Sequence, residues 1–240
     1  MIGEGWSQFG QWASQLGVPL TAVQLDQFAH YQALLLQWNE RMNLTAVRQP
    51  TQIQIRHFLD SLSCLQVTGN LNGQSLIDVG TGAGFPGLPL KIIFPQLKLT
   101  LVESVAKKGQ FLQAVADELS LSQVQILSER AEQLGQLPQH REQYDWAVAR
   151  AVAELRILVE YLLPFCRVGG KMLAQKGPGA AEEMKDSRRA IKLLGGNEPE
   201  FSTVHLPERE QTHYLITITK VAPTPGKYPR RIGVPGKRPL

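Results

Sequence analysis

Residues 76–87 have the sequence Leu-Ile-Asp-Val-Gly-Thr-Gly-Ala-Gly-Phe-Pro-Gly, a short apolar run with an acid that breaks into four glycines. The apolar run predicts a buried parallel strand. Glycines let a backbone turn sharply and approach a ligand closely, and Pro86 suits the first turn of a following helix. A strand, a glycine turn and a helix N-terminus together are typical of a nucleotide-type binding edge.

Two cofactor classes use such an edge, and an acid within the motif favours one of them. Gly82, Gly84 and Gly87 fit the G-x-G-x-x-G of dinucleotide-binding proteins. Asp78, Gly80, Gly82 and Gly84 fit an acid followed by G-x-G-x-G, which S-adenosylmethionine methyltransferases use. A carboxylate suits the cationic sulfonium and ammonium of S-adenosylmethionine but repels a pyrophosphate. We therefore expect S-adenosylmethionine, with Asp78 as its counter-charge; a tight turn without a ligand is the alternative.

Length and composition indicate one globular domain with room for an extension. The chain has 240 residues, of which 43% are hydrophobic. It has no run of 18 apolar residues, and its N-terminus lacks the features of a signal peptide. Cys64 and Cys166 are too few for a disulfide framework or a cysteine-based zinc site, and the five histidines form no metal-ligand cluster. We expect a cytoplasmic protein without a metal and without membrane association.

The pattern of residues divides the chain into three parts. Residues 1–70 are predicted to form a helical cap, in which Thr21 and Gln24 make a capping box. Residues 71–221 alternate strands and helices, and residues 222–240 form a basic, proline-rich arm. We expect strands at 75–79, 97–102, 123–128, 145–149, 170–175, 200–205 and 213–219, and helices at 86–94, 107–119, 153–163 and 179–194. The fold class is α/β, a doubly wound and mostly parallel sheet with a helical N-terminal extension, whose last two strands form an antiparallel edge pair.

Side chains at the ends of the predicted strands should face the ligand, because open parallel sheets bind ligands at their carboxyl edge. Glu103 ends the second strand, where a carboxylate can accept both hydroxyls of a ribose. Ala131 and Glu132 follow the third strand and could contact an adenine. Arg150 ends the fourth strand, where it offers a contact to a phosphate or a guanine edge; a structural ion pair is the alternative.

Two further features point to the substrate side. His57 and Asp60 lie about one turn apart on a helix predicted over 51–65, so the imidazole could reach over the cleft; a packing or capping role is the alternative. The C-terminal arm has five basic residues and no acid from Gly226 to Leu240, which indicates an extended arm that contacts phosphates. The alternative for the arm is a solvated tail or a structural strap.

Motifs along most of the chain, from about Trp38 to Leu240, together resemble one family. They are Trp38-Asn39, Asn43-Leu44-Thr45, His57-Phe58-Leu59-Asp60-Ser61, the glycine motif with Leu88-Pro89-Leu90, Glu103-Ser104, Lys107-Lys108, Phe111-Leu112, Arg130 with Glu132, Arg150-Ala151, Gly169-Gly170, Lys176-Gly177 and Tyr228-Pro229-Arg230. The glycine motif is generic, but its conjunction with N-L-T and H-F-L-D-S is specific. The chain resembles the bacterial small-subunit ribosomal RNA guanine-N7 methyltransferases, also called glucose-inhibited division protein B.

This resemblance implies the class I methyltransferase fold and transfer of a methyl group from S-adenosyl-L-methionine, leaving S-adenosyl-L-homocysteine. The acceptor it implies is N7 of guanine 527, in the 530 loop of 16S rRNA, with the small subunit or an assembly intermediate as partner of a monomeric enzyme. It places cofactor contacts on Gly80, Phe85, Ala131, Glu132 and Arg150. It places an RNA-linked or catalytic set on Asn43, His57, Arg130 and Arg150.

Two other functions stay open at this point. An NAD-dependent oxidoreductase could use the same edge, but none of the five tyrosines is followed by lysine in a Tyr-x-x-x-Lys pair. A non-catalytic RNA-binding module could also have this fold, but the intact glycine turn argues against it.

Overall fold

A seven-stranded mixed sheet forms the centre of this computed structural model, which describes residues 4–150, 152–208 and 211–240. Its strands are β1 (Ser75–Val79), β2 (Lys98–Val102), β3 (Val124–Leu127), β4 (Tyr144–Arg150), β5 (Cys166–Lys176), β6 (Glu200–Val204) and β7 (His213–Thr219). They lie in the order β3-β2-β1-β4-β5-β7-β6, and all neighbours are parallel except the two pairs that involve β7. The predicted sheet and its antiparallel edge pair are confirmed.

Helices pack on both faces of the sheet. They are α1 (Glu4–Gln15), α2 (Ala22–Asn39), α3 (Pro50–Ile53), α4 (Asp60–Leu62), α5 (Leu65–Thr68), α6 (Gly87–Ile93), α7 (Ala106–Glu118), α8 (Ala131–Leu134), α9 (Leu155–Leu162), α10 (Ala180–Leu193) and α11 (Val234–Lys237). Over the described residues, none combines the length and the apolar character that crossing a bilayer requires.

The N-terminal helices share a hydrophobic core with one face of the sheet. Phe9 of α1 and Phe28 and Tyr31 of α2 are fully buried in one cluster with Phe58 and with Leu99 of β2. Burial of an apolar side chain of this size contributes roughly 1.5–3 kcal/mol. The cap predicted for residues 1–70 thus packs as part of the main core, and a domain boundary at residue 70 stays a prediction.

The predicted helix over 51–65 is interrupted in a way that matters for the site. The chain forms α3, continues as a π-helix over Gln54–Leu59, and returns to α-helical geometry in α4. Short π-helical insertions are rare and occur frequently at functional sites. Here the π-helix carries His57 and leads directly into Asp60.

The C-terminal arm packs on the face of the sheet opposite to helices α1 and α2. The expectation of an extended arm is therefore wrong. Tyr228 is buried in the second core cluster, together with Leu134 of α8 and Leu158 of α9. Arg141 holds the arm, since Nη1 donates to the carbonyl oxygen of Tyr228 at 2.6 Å and Nη2 to that of Thr224 at 2.6 Å. The arm then ends in the short helix α11.

Candidate active site

The turn after β1 contains three glycines in the left-handed region. Gly80, Gly82 and Gly84 have φ angles of +69°, +61° and +97°, which L-residues with a side chain rarely adopt. A Cβ atom on Gly84 would overlap the side chains of Leu88 and Tyr31, whereas one on Gly82 would meet no protein atom within 4 Å. Gly84 therefore permits packing beneath the turn, and Gly82 leaves open space above it.

Asp78 shapes this turn from the inside. Its carboxylate is fully buried, and Oδ2 accepts hydrogen bonds from the Thr81 hydroxyl at 2.7 Å and from the Gly87 amide at 2.8 Å. Burial raises the pKa of Asp78 to about 6, against the lowering effect of these donors. The carboxylate lines neither of the cavities beside the turn. Oδ2 thus holds the turn, whereas Oδ1 has no hydrogen-bond partner among the described residues; the expected role of Asp78 as a counter-charge to the cofactor stays a prediction.

Helix α2 supports the turn through an aromatic contact. The hydroxyl of Tyr31 donates to the carbonyl oxygen of Ala83, and its ring stacks on Phe85 with centroids 5.5 Å apart. Both rings are buried. The turn is thus fixed by the N-terminal helices as well as by the sheet.

A cavity of about 570 Å³, the His57 cavity, opens on one side of the turn. It lies between the turn, the π-helix and the edge of the sheet where β4 and β5 end and β7 begins. Its lining comprises residues 44–47, Arg56, His57, Asp60, residues 80–83, Phe85, Arg150, residues 175–178, Gln211 and His213.

His57 is a neutral imidazole in this cavity. Its Nδ1 lies 3.1 Å from the carbonyl oxygen of Arg56, and its Nε2 lies 2.8 Å from the hydroxyl oxygen of Thr45. The Arg56 carbonyl fits hydrogen on Nδ1, whereas Nη2 of Arg150, a donor 3.4 Å from the same Nδ1, fits the other tautomer. Burial, followed by the charge of Arg150, lowers the pKa of His57 to about 4. The ring also stacks on Phe85 at a centroid distance of 4.7 Å, which fixes its orientation.

Arg150 faces the same cavity and is held by a buried carboxylate. Its Nη1 lies 3.1 Å from Oδ2 of Asp60, and its guanidinium lies 4.9 Å from the centre of the Phe85 ring. The other carboxylate oxygen of Asp60 lies 2.9 Å from Nδ1 of His213. Burial alone would raise the pKa of Asp60, but His213 and Arg150 outweigh it, so this pKa is below its usual range. The ion pair that the sequence left as an alternative is present, and Arg150 still lines the cavity.

Asn39 organises the loop that brings Thr45 to His57. Its Oδ1 accepts from the amides of Leu44 at 2.9 Å and Thr45 at 3.0 Å, and its Nδ2 donates to the Thr45 carbonyl at 3.0 Å. Asn43 is exposed on this loop beside the lining residue Leu44. The structure therefore places Asn43 at the rim, and a catalytic role for it stays a prediction.

A smaller cavity, the Glu103 cavity, opens on the other side of the turn with a volume of about 120 Å³. Its lining comprises Val79, Gly80, residues 102–104, residues 129–132, Val152 and Tyr161. Glu103 is 6% exposed; its carboxylate accepts from the amides of Gly82 at 3.1 Å and Val105 at 2.9 Å. The structure thus brings together the carboxylate and the loop that were predicted for the ribose and the adenine.

These residues fit S-adenosylmethionine. Each oxygen of the Glu103 carboxylate has a free lone pair beside its backbone bond, so it can still accept from ribose hydroxyls. Ala131 and Glu132 lie next to it, at positions that can contact the adenine. Gly80 lines both cavities, so one ligand can pass from the Glu103 cavity over the turn to the His57 cavity.

The predicted catalytic set is only partly brought together. His57 and Arg150 line the His57 cavity, whereas Arg130 lines the Glu103 cavity. A joint catalytic role for all members stays a prediction. The sequence analysis assigned no role to Tyr31, Asn39, Gln175 or His213. Gln175 is buried in the wall of the His57 cavity and donates to the carbonyl oxygen of Asp60 at 2.7 Å.

The fold and its two cavities define a class I S-adenosylmethionine-dependent methyltransferase. Among solved structures, the chain is similar to a SAM-dependent O-methyltransferase from Thermotoga maritima, with a TM-score of 0.55 and 16% sequence identity. The match covers 80% of this chain and 72% of that one. A likeness at this identity shows the shared fold and leaves the substrate to other observations.

The chain belongs to the GidB family, rRNA small subunit methyltransferase G, whose model matches residues 24–212. It is 50% identical to the ribosomal RNA small subunit methyltransferase G of Alkaliphilus metalliredigens, over 94% of this chain and 95% of that protein. It is 51% identical to the protein of that name from Roseiflexus castenholzii, over 95% and 97%. The resemblance is confirmed, as is the choice of S-adenosylmethionine, and the oxidoreductase alternative is wrong.

Proposed function

We propose that this chain transfers the methyl group of S-adenosylmethionine to N7 of a guanine in 16S rRNA, at position 527 in the 530 loop. The observation that carries the proposal is the His57 cavity, where a neutral imidazole and a charge-paired arginine face the glycine turn of this family's fold. S-adenosylmethionine, when bound, supplies an activated methyl group on a sulfonium.

The cavity suits an acceptor that needs no general base. Guanine N7 has a free lone pair and no proton, so the protein has only to align N7 with the methyl carbon and its leaving sulfur. Alignment of this kind is catalysis by positioning. The low pKa of His57 is consistent with this, because an imidazole that is neutral above about pH 4 places no charge beside the cationic N7-methylguanine.

Arg150 is best explained as an orienting group. An unpaired guanidinium beside the acceptor would oppose the positive charge that the base gains. The carboxylate of Asp60, 3.1 Å away, offsets the charge of Arg150 and fixes its position over Phe85. Arg150 can then hold a phosphate or a guanine edge without making the cavity strongly cationic.

The target base must leave its loop to reach this cavity. Enzymes that modify bases extrude the target nucleotide into a pocket, and single-stranded loops are the RNA segments whose bases can be splayed out. The ring of Phe85 and the imidazole of His57, already stacked on each other, present an aromatic surface at the cavity wall.

We further propose that the enzyme acts as a monomer in the cytoplasm, on the small subunit or an assembly intermediate. Light scattering of the purified protein tests the monomer.

The function is tested by mapping N7-methylguanine in 16S rRNA from cells with and without the gene. We expect N7-methylation of guanine 527 in wild-type cells, its loss when the gene is deleted, and its return when a wild-type copy is supplied. The purified protein should transfer labelled methyl groups to small subunits from the deleted strain and should transfer none to subunits from wild-type cells. Methylation at 527 that persists in the deleted strain would refute the proposal.

A further inference from the structure

The C-terminal arm has a strongly basic surface with a defined shape. Five basic residues and no acid lie between Gly226 and Leu240. The arm is anchored by the buried ring of Tyr228 and by Arg141, as described above. The backbone that carries these cations is therefore held against the protein surface at Tyr228.

One of the five cations, Arg230, forms a buried ion pair that stabilises the fold. The guanidinium of Arg230 lies across the carboxylate of Glu160 in α9, with Nη2–Oε2 at 2.5 Å and Nε–Oε1 at 2.8 Å. The backbone amide of Arg230 donates to the same carboxylate at 2.8 Å. The Glu160 side chain is fully buried, so this pair locks the arm onto α9.

The other four cations are exposed, and within the described residues none of them has an ion-pair partner. They are Lys227, Arg231, Lys237 and Arg238, which we call the arm surface. A cavity of about 570 Å³ separates part of this surface from α8, with Lys227 and Arg231 in its lining. The one acid in that lining, Glu132, accepts a hydrogen bond from the amide of Gly233 at 3.0 Å.

The cavity beneath the arm adjoins the candidate active site. Gly80 lines both the His57 cavity and the Glu103 cavity, and Glu132 lines both the Glu103 cavity and the cavity beneath the arm. Neighbouring cavities thus share a lining residue, which connects the cavity beneath the arm to the candidate site through the Glu103 cavity.

We propose that the arm surface binds the phosphate backbone of the RNA substrate. The inference rests on the proposed function for the identity of the RNA, and on charge complementarity for the mode of binding. Phosphate contacts position an RNA without reading its sequence, and unpaired lysine and arginine side chains on a rigid support suit this role. The guanine is then selected at the His57 cavity, and the arm adds affinity.

The test compares two variants that lose the same charge. Lys227→Gln with Arg231→Gln removes two cations of the arm surface; Lys185→Gln with Arg189→Gln removes two exposed cations of α10 as the matched control. The probe is an RNA fragment that contains the 530 loop, titrated at several salt concentrations. Each lost phosphate contact lowers the slope of log K against log salt by about 0.7–0.9, so the arm variant should flatten it by about 1.5.

The control variant should keep the wild-type slope, and both variants should keep the wild-type affinity for S-adenosylmethionine and the wild-type melting temperature. An arm variant whose slope equals that of the control would overturn the proposal. If the arm variant lost binding to phosphatidylserine vesicles but bound the RNA fragment like the wild type, the arm surface would be assigned to membranes, and the proposal would be overturned as well. Wild-type protein that binds the fragment through the arm but methylates no 16S rRNA would refute the proposed function and leave this inference standing.

Discussion

Two buried carboxylates near the glycine turn have opposite electrostatic surroundings. Asp78 receives hydrogen bonds from neutral donors only, and burial raises its pKa to about 6. Asp60 is equally inaccessible, but the hydrogen bond from His213 and the charge of Arg150 hold its pKa below the usual range. Asp60 is therefore the carboxylate that pairs directly with Arg150, and Asp78 is a hydrogen-bond acceptor within the turn whose pKa burial raises.

Asp60→Asn is expected to slow methyl transfer while the protein stays folded. The substitution keeps the shape of the side chain but leaves Arg150 without its counter-charge beside an acceptor that becomes cationic. A charge-assisted hydrogen bond contributes about 1.5–3 kcal/mol, which corresponds to a rate about 10- to 100-fold lower. The measurement is single-turnover methyl transfer at saturating S-adenosylmethionine. His213→Asn is the control, because it preserves the ion pair; a wild-type rate in Asp60→Asn would contradict the role of this pair.

Asp78→Ala is expected to reduce both stability and cofactor affinity. It leaves the buried Thr81 hydroxyl and Gly87 amide without their acceptor, at a cost of about 2–6 kcal/mol for the two groups. The turn then loses the shape that supports the cofactor. Chemical unfolding and calorimetric titration with S-adenosylmethionine measure the two effects. Thr81→Val removes only one of the donors and should lose less; an Asp78→Ala protein of unchanged stability would show that these bonds do not hold the turn.

His57 predicts a specific dependence of stability on pH. Its folded pKa of about 4 lies below the value of about 6.5 in an unfolded chain. The unfolded chain therefore binds a proton first, and stability is lost as pH falls from about 6.5 toward 4. At pH 5 the loss attributable to His57 is roughly 2 kcal/mol. Urea unfolding of the wild type and of His57→Gln at pH 7 and pH 5 measures it, and an equal loss in both proteins would place the His57 pKa near its ordinary value.

At the level of elements, sequence reasoning was most successful where a pattern is local. The alternation of apolar runs and glycine or proline breaks predicted all seven strands, and the capping box at Thr21 and Gln24 is present. The π-helix could not be predicted, because the hydrogen-bond shift that defines it leaves no periodic signature in six residues. The contact between Tyr31 and Ala83 was also missed, since it joins residues 52 positions apart through tertiary packing.

The site shows the same division between local and distant information. Glu103, Arg150 and His57 were predicted from strand ends and helix spacing, and all three line the cavities beside the turn; their roles stay predictions. His213 was missed because only the antiparallel placement of β7 brings its first residue beside Asp60. Asp78 identified the correct cofactor class, but its carboxylate faces the interior of the turn, a direction that a sequence pattern does not specify.

The glycine turn predicts a graded response to substitution of Gly82. Its φ of +61° costs an L-residue about 1–2 kcal/mol, and a β-branched residue is disfavoured further. Gly82→Ala and Gly82→Val are therefore both strained, but valine is strained more and also fills the open space over the turn with a branched side chain. We expect valine to abolish S-adenosylmethionine binding in calorimetry and alanine to weaken it, with circular dichroism unchanged in both. Normal binding by the valine variant would show that Gly82 does not border the cofactor.

At the level of the whole molecule, the C-terminal arm packs back onto helices α8 and α9. The amide of Gly233 donates a hydrogen bond to Glu132 of α8, and Arg230 forms an ion pair with Glu160 of α9. Composition alone predicted its charge but not its packing, because the five cations look equivalent in sequence. Only the structure separates Arg230, which binds Glu160, from the exposed cations of the arm surface.

This separation predicts different phenotypes for two neighbouring arginines. Arg230→Ala leaves the Glu160 carboxylate buried without its partner, and breaking a buried pair in this way costs about 3 kcal/mol. For a domain of this size the melting temperature should fall by about 6–12 °C. Arg231→Gln should leave the melting temperature unchanged and flatten the salt dependence of RNA binding by about one contact. Scanning calorimetry and RNA titration on both variants separate the roles. A melting temperature unaffected by Arg230→Ala, together with a flattened salt slope, would place Arg230 on the RNA-binding surface and remove it from the lock that holds the arm.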